Sequence, residues 1–339
     1  MTKKRPRVLE ATTGIPRRTA GVAAAFATVY IVWGSTYLAI RLGVETIPPF
    51  LMAGTRHLTA GLLLYLWMRS RGTPKPEWRH WKSAIAIGGL LLLGGNGLVT
   101  WAEQRVPSGL AALIVSSVPI WMAVLEGIEN RARPAPAVIG GLLLGVAGIV
   151  LLVAPGRLGG NGHVDLLGAA ALLTAALSWS FGSLYSRRAP LPSATLLATA
   201  MEMTAGGVLL WIVGLVFGEA RRLDLAAIST RSAIALGYLI VFGSLLGFSA
   251  YIWLLKVSTP ARVSTYAYVN PIVAVILGTL FAGEVLSARV AIAAAVIVGA
   301  VALIITARSR GAVRFQQAPP PKVSAVIDTP RASAAGASR

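Results

Sequence analysis

The sequence predicts an all-α integral membrane protein with ten transmembrane helices, arranged as two inverted five-helix repeats around a central cavity. Of its 339 residues, 55% are hydrophobic and 13% are charged, about half the charged share of a soluble domain. Apolar stretches of about 20 residues, the length that crosses a bilayer, recur along the chain. The predicted spans are 21–40, 48–68, 82–101, 106–126, 135–154, 164–186, 195–217, 232–255, 262–282 and 288–307.

These spans divide the chain into two repeats, 21–155 and 164–307, between two tails. Residues 1–20 and 308–339 are polar, basic and rich in Pro, Ala and Ser, a composition typical of disorder. The first apolar stretch is too long for the core of a signal peptide, so we expect it to remain as an anchor.

The net charge of +19 is explained by membrane topology rather than by nucleic-acid binding. If the N-terminus is cytoplasmic, the cytoplasmic segments hold 23 Lys and Arg residues and the outer segments hold seven. This bias follows the positive-inside rule and predicts that both termini are cytoplasmic. We therefore expect a multi-pass protein of the cell inner membrane whose partners are the lipid bilayer and a small-molecule substrate, with no nucleic acid.

Several classes of chemistry are disfavoured by the composition. The chain has no cysteine and three widely spaced histidines, which argues against disulfides, thiolate chemistry and a zinc site. It lacks a GxxxxGK[ST] sequence, so ATP is not expected to be the direct energy source. Its twelve acidic residues are scattered, which argues against an enzyme acting on lipid-linked substrates. We expect no cofactor and no metal.

An internal repeat supports the two-half arrangement. Trp101 lies 18 residues before Pro119, and Trp253 lies 18 residues before Pro271. Because each half has five spans, an odd number, the second half enters the membrane from the opposite side, which makes the repeat inverted. Two further pairs of segments match in the same order: VWGSTY (32–37) with SWSFGSLY (178–185), and LTAGLLL (58–64) with MTAGGVLL (203–210).

Two segments also resemble the EamA family of the drug/metabolite transporter superfamily, in particular its YedA-like inner-membrane permeases. They are NGLVTWAEQRVPSGLAALIVSSVPIW (96–121) and GSLLGFSAYIWLLKVSTPARVSTYAYVNPIVAVILGTLFAGEVLS (243–287). The resemblance covers about residues 20–307 and implies ten helices, a central cavity and export of small metabolites or drugs. The first half departs from the pattern at 125–134, which reads LEGIENRARP where the second half has Gly283-Glu284.

Charged residues inside predicted spans are the main site candidates, because each is costly in a bilayer. Arg56 and His57 lie in the middle of the second span, and Glu202 lies at nearly the same depth in the seventh. They either contact substrate or form a buried pair that joins the two halves. Glu202 is the candidate for proton coupling, because burial favours a protonated carboxyl whereas Arg stays charged.

Further candidates for the cavity wall are polar or aromatic residues within spans. Trp33 and Trp179 are repeat-related, and Asn96 either meets a ligand or bonds another helix. The other predicted cavity residues are Tyr37, Tyr268 and Asn270. Pro119 and Pro271 are predicted helix kinks, since Pro removes a backbone hydrogen bond. Small-residue motifs leave the choice between monomer and homodimer open.

Overall fold

The structure is a computed structural model that describes residues 15–129, 136–153 and 165–317. The predicted tail residues 1–14 and 318–339 lie outside this part of the chain. Within it, every regular element is helical, and the prediction of an all-α membrane protein is confirmed. The main helices are α1 (Ile15–Gly43), α2 (Pro49–Ser70), α3 (Trp78–Ala102), α4 (Ser108–Glu129), α5 (Pro136–Val153), α6 (Leu166–Ser186), α7 (Thr195–Val216), α8 (Thr230–Val257), α9 (Tyr266–Phe281) and α10 (Ala288–Gln317).

Seven of these helices are long and apolar enough to cross a membrane: α1, α3, α4, α6, α7, α8 and α10. The apolar parts of α5 and α9 are shorter. Helix α2 is long enough to cross a membrane, but Arg56, His57 and Arg69 make it less apolar than the other seven. Both end helices extend into the predicted tails, α1 from Ile15 and α10 to Gln317.

Two long helices contain a π-helical stretch at corresponding places in the two halves. These stretches are Gly89–Gly97 in α3 and Leu239–Phe248 in α8. A π-helical turn adds a residue to the helix and occurs often at functional sites. Here the stretches carry Asn96 and Ser244 toward the centre of the bundle.

Helix α2 packs closely against α7. A Cβ atom on Gly61 would lie 2.5 Å from the backbone nitrogen of Thr204, and one on Gly207 would lie 2.5 Å from that of Leu58. Only glycine permits backbones to approach so closely. The sequence blocks repeated between the halves, LTAG and MTAG, therefore lie where α2 and α7 touch.

The remaining helix contacts occur in matching sets. Helix α1 packs on α9 as α4 packs on α6, and α1 packs on α8 as α6 packs on α3. Helices α5 and α10 pack on each other at the periphery. In each of these pairs, one helix precedes residue 154 and the other follows residue 164.

The bundle has two ends, which we call the near face, where α1 begins, and the far face, where α1 ends. Because consecutive helices alternate in direction, connections 71–77 and 187–194 lie at the near face. Connections 44–48, 217–229 and 282–287 lie at the far face.

Helices α4 and α9 contain the two predicted kink prolines. Helix α4 is interrupted at Ser116–Ser117, and Pro119 falls in the first turn of the part that follows, a position that needs no backbone N–H. Pro271 lies inside α9. Helix α9 packs on the first part of α4, Ser108–Val115, but makes little contact with the second part. The two helices thus meet at the far face and diverge toward the near face.

Two carboxylates bind helix N-termini across the halves, both at the far face. Glu219 accepts from the backbone nitrogens of Phe50 (3.2 Å) and Leu51 (2.9 Å) at the start of α2. Glu284 accepts from the nitrogens of Ser108 (2.6 Å) and Gly109 (3.0 Å) at the start of α4, and from the Ser108 hydroxyl (2.7 Å). Helix N-termini have unsatisfied N–H groups and favour negative charge, so each carboxylate ties the two halves together.

Candidate functional site

A cavity of about 70 Å³ lies between the two halves, bounded by helices from both. Seven of the nine residues predicted for the cavity line it: Trp33, Tyr37, Arg56, His57, Asn96, Trp179 and Asn270. An eighth, Tyr268, lies on α9, but its side chain is outside the described part of the chain. The ninth, Glu202, lines a different cleft.

One wall of the cavity is a chain of hydrogen bonds that joins α2, α3 and α8. The Arg56 Nε atom donates to Ser244 Oγ (2.8 Å), and Ser244 Oγ lies 3.4 Å from His57 Nδ1. His57 Nε2 lies 3.1 Å from Asn96 Oδ1. These bonds fix the guanidinium in place, yet its Nη1 atom is buried without a partner. The Arg56 guanidinium therefore has one donor, Nε, bonded within the protein, and another, Nη1, that is free to bind an anion.

The wall nearer the near face is aromatic. The Trp33 ring lies 5.5 Å from that of Trp179, 4.9 Å from Tyr251 and 5.6 Å from Tyr266. The indole nitrogens are satisfied within the protein, Trp33 by the Gly243 carbonyl (3.2 Å) and Trp179 by the Tyr251 hydroxyl (3.0 Å). Their ring surfaces are thus available for apolar contact, whereas their polar atoms are already bonded.

The Asn270 side chain joins α9 to α1. In the amide orientation that satisfies both its oxygen and its nitrogen, that nitrogen donates to the backbone carbonyls of Tyr266 (3.2 Å) and Tyr30 (3.0 Å). Asn270 also lines the cavity, so it combines a packing contact with a place at the wall.

Glu202 lies on α7 and lines a cleft of about 360 Å³ together with Arg187 and Lys256. This cleft opens between α6, α7 and α8 toward the near face. The Glu202 carboxyl is fully buried, and neither of its oxygens has a hydrogen-bond partner. The structure thus places Glu202 and Arg56 in separate cavities, although they lie on neighbouring helices.

Sequence reasoning missed a second buried carboxyl, that of Glu103. It is fully buried, and neither of its oxygens has a partner. Its backbone nitrogen bonds the carbonyl of Val99 (3.0 Å), which lines the central cavity one helical turn earlier. The predicted span ended at residue 101, which placed Glu103 in a loop. Its position two residues past the predicted end of an apolar span was the one signal available.

The surroundings of Glu103 contain charges of both signs. Burial, and then the charge of Glu284, raise the pKa of the Glu103 carboxyl well above its usual range, while Arg41 and Arg56 act in the opposite direction. Arg41 Nη1 donates to the backbone carbonyl of Glu103 (2.6 Å) rather than to its carboxyl group. Among the described residues, no group of three His, Asp or Glu side chains could hold a metal ion.

Comparisons with known proteins identify the family. The model of the EamA-like transporter family matches residues 19–154 and 166–306. The chain is 44% identical over 281 residues to the uncharacterized inner membrane transporter YedA of Escherichia coli K12, covering 81% of this chain and 88% of that protein. It is 29% identical to a chloroplastic WAT1-related protein of Arabidopsis thaliana, covering 81% of this chain and 67% of that protein.

A solved crystal structure of another protein shares the fold. It matches with a TM-score of 0.60 at 22% sequence identity and covers 85% of this chain and 99% of that one. The resemblance found in segments 96–121 and 243–287 is confirmed by the family match, which extends over both halves. The chain is a membrane transporter and belongs to the EamA-like transporter family.

Proposed function

We propose that the chain is a secondary active transporter that exports small amphipathic metabolites or drugs across the inner membrane by alternating access. The main support is the cavity between the halves, which is lined by aromatic rings and by Arg56, whose Nη1 donor has no partner. A ligand with an anionic or polar group and an apolar body fits this combination. The inner membrane is the location named for the 44% identical relative YedA.

The proposed architecture is ten helices in two inverted repeats, with both termini cytoplasmic. Three observations support it. The family model matches the chain twice, the helices of the two halves pack in matching pairs, and α3 and α8 contain π-helical stretches at corresponding places. Two like halves of opposite orientation give a transporter two related conformations, each open to one side.

The cavity volume is consistent with a conformation between these two states. At about 70 Å³ the cavity is far smaller than the roughly 300–1,000 Å³ of ordinary ligand sites. A metabolite therefore fits only after the surrounding helices move apart. Because α4 and α9 already diverge toward the near face, we expect the site to open there first.

Counterflow in reconstituted vesicles tests the transport proposal. Vesicles that contain the protein are loaded with one candidate solute at high concentration, and entry of the same radiolabelled solute is measured. We expect transient accumulation of an unchanged solute that carries a polar group and an apolar ring. Net uptake into cells that express the protein would favour import or exchange on the same fold, whereas a chemically altered product would indicate an enzyme.

Glu202 is proposed as a proton-coupling residue, since its carboxyl is buried without a hydrogen-bond partner beside Lys256. The Glu202→Gln variant cannot release a proton at this position. We expect it to lose transport driven by a pH gradient while it retains solute exchange, which needs no net proton movement. Unchanged pH dependence in this variant would remove Glu202 from the mechanism.

A further inference from the structure

We infer that Glu103 is a proton-binding site of the transport cycle, and that its ionised form competes with an anionic ligand for the Arg56 guanidinium. This inference rests on the proposed transport function and adds a residue and a ligand class to it. The ligand would be a small organic anion, such as a carboxylate with an apolar ring.

The position of Glu103 supports proton binding. The residue lies one turn beyond the cavity wall at Val99, and its two carboxyl oxygens are buried without a partner. A buried carboxylate with no hydrogen bond is strongly disfavoured, whereas the protonated acid is disfavoured much less. In this conformation Glu103 therefore carries a proton.

The groups around Glu103 show what its ionisation would do. The charges of Arg41 on α1, Arg56 on α2 and Glu284 in the connection after α9 act on the Glu103 carboxyl, and the charge of Glu103 acts on Tyr37 of α1. Arg105, in the same connection as Glu103, pairs with Asp165 at 3.7 Å in a partly exposed contact. Arg41 is occupied by a backbone carbonyl, which leaves Arg56 as the cation with a free buried donor.

Glu103 and Arg56 are thus two buried groups that interact electrostatically when Glu103 is ionised, and each has an atom without a partner. When Glu103 is ionised, it attracts the guanidinium and repels an approaching anion. When Glu103 takes up a proton from solvent on the side to which the transporter is open, Arg56 is free to bind an anion. One proton and one anion are therefore bound together and released together, which makes the step electroneutral and couples it to the gradients of both the solute and the proton.

An infrared titration of the full chain in lipid nanodiscs tests proton binding without any ligand. A buried protonated carboxyl gives a resolved C=O stretching band, which disappears as the pH is raised through its titration. We expect Glu103→Gln to lack one such band, while the matched variant Glu202→Gln retains that band and lacks another. Gln has nearly the shape of the protonated acid, so thermal melting should show a folded protein. A Glu103→Gln spectrum identical to that of the unmodified chain would overturn the proposal.

Equilibrium binding of radiolabelled benzoate tests the competition. At pH values where benzoate is fully ionised, its affinity for the unmodified protein should fall up to tenfold per pH unit as Glu103 loses its proton. In Glu103→Gln the affinity should be independent of pH, and in Arg56→Gln binding should be lost. Absent benzoate binding, or an unchanged pH dependence in Glu103→Gln, would contradict the competition.

The two tests separate this inference from the transport proposal. Loss of the infrared band in Glu103→Gln together with absent counterflow would establish the proton site and reject the transport mechanism. Normal counterflow together with an unchanged infrared spectrum in Glu103→Gln would support the transport proposal and reject the proton site.

Discussion

The turns that follow α7 and α9 each contain a Gly-Glu pair whose glycine has a positive φ, but the glutamates join different kinds of helix pairs. In each turn a glycine with positive φ, Gly218 (72°) or Gly283 (65°), precedes a glutamate. A residue with a side chain is strained in this conformation. In each case the glutamate binds the N-terminus of a helix in the other half.

The difference lies in the helices that are joined. Glu219 joins α7 to α2, which pack closely on each other. Glu284 joins the end of α9 to the start of α4, and these helices are in close contact only near the far face. Glu219 therefore reinforces an interface that α2 and α7 form without it. Glu284, in contrast, holds α9 and α4 together at the far face, which is where these two helices meet.

The near face offers a third turn for comparison. Gly72, which follows α2, also has a positive φ of 80°, but the next residue is Thr73, and its hydroxyl bonds the carbonyl of Met68 (2.8 Å) on the same helix. No carboxylate follows this glycine. A glycine with positive φ thus precedes a link between the halves at the far face, after α7 and α9, and only a local cap at the near face, after α2.

The largest expected effect comes from Glu284→Ala. It leaves two backbone N–H groups and the Ser108 hydroxyl without their acceptor, and loss of a helix N-terminal acceptor costs about 0.5–2 kcal/mol. Because ~1.4 kcal/mol is a tenfold change in equilibrium, the open state of the far face should become about tenfold more populated. The chain has no cysteine, so maleimide labelling of a single Ile40→Cys in the cavity wall measures this opening.

A second reporter controls for general loosening in the Glu284→Ala variant. Leu255 is buried and lines the cleft toward the near face. If the far face opens by alternating access, labelling of Leu255→Cys should slow as labelling of Ile40→Cys accelerates. Acceleration at both sites would show loss of fold instead, and no change at Ile40→Cys would refute a gating role for Glu284.

Glu219→Ala should have a smaller effect and of another kind. The variant likewise loses a helix N-terminal acceptor, at a similar cost of about 0.5–2 kcal/mol. Because α2 and α7 remain packed through Gly61 and Gly207, we expect a lower thermal melting temperature but labelling of Ile40→Cys within twofold of the unmodified chain. A tenfold rise in labelling would make the two glutamates equivalent and remove the distinction between them.

Sequence patterns predicted the membrane class and most of the cavity wall, because both follow from local rules. Charged residues are expensive in lipid, so Arg56 and His57 had to face a cavity or a partner, and both line the central cavity. The repeat related Trp33 to Trp179, and the two rings are in contact. For these four residues, the position within a predicted transmembrane span was enough to predict a place at the cavity wall.

Other features depend on packing that a single sequence does not encode locally. Glu202 and Arg56 occur at similar depths in repeat-related spans, yet they point into different cavities, because depth does not determine the direction a side chain faces around its helix. The π-helical stretches escaped prediction since a glycine-rich apolar run has the same composition in either helix type. Glu103 was missed because its burial comes from neighbouring elements and not from its own span.

The smallest expected effect is at the near face, in the ion pair between Arg188 and Glu129, which joins the ends of α6 and α4. The side chains are 66% and 38% exposed, and exposed ion pairs contribute only about 0–1 kcal/mol. If the near face lacks a strong link, Arg188→Ala should change labelling of Leu255→Cys by less than about threefold. Arg79→Ala is the matched control, because it removes an exposed pair with Glu77 inside one half. A tenfold effect of Arg188→Ala alone would mean that the near face is held by its own ion pair, and the contrast between the two faces would then be one of degree.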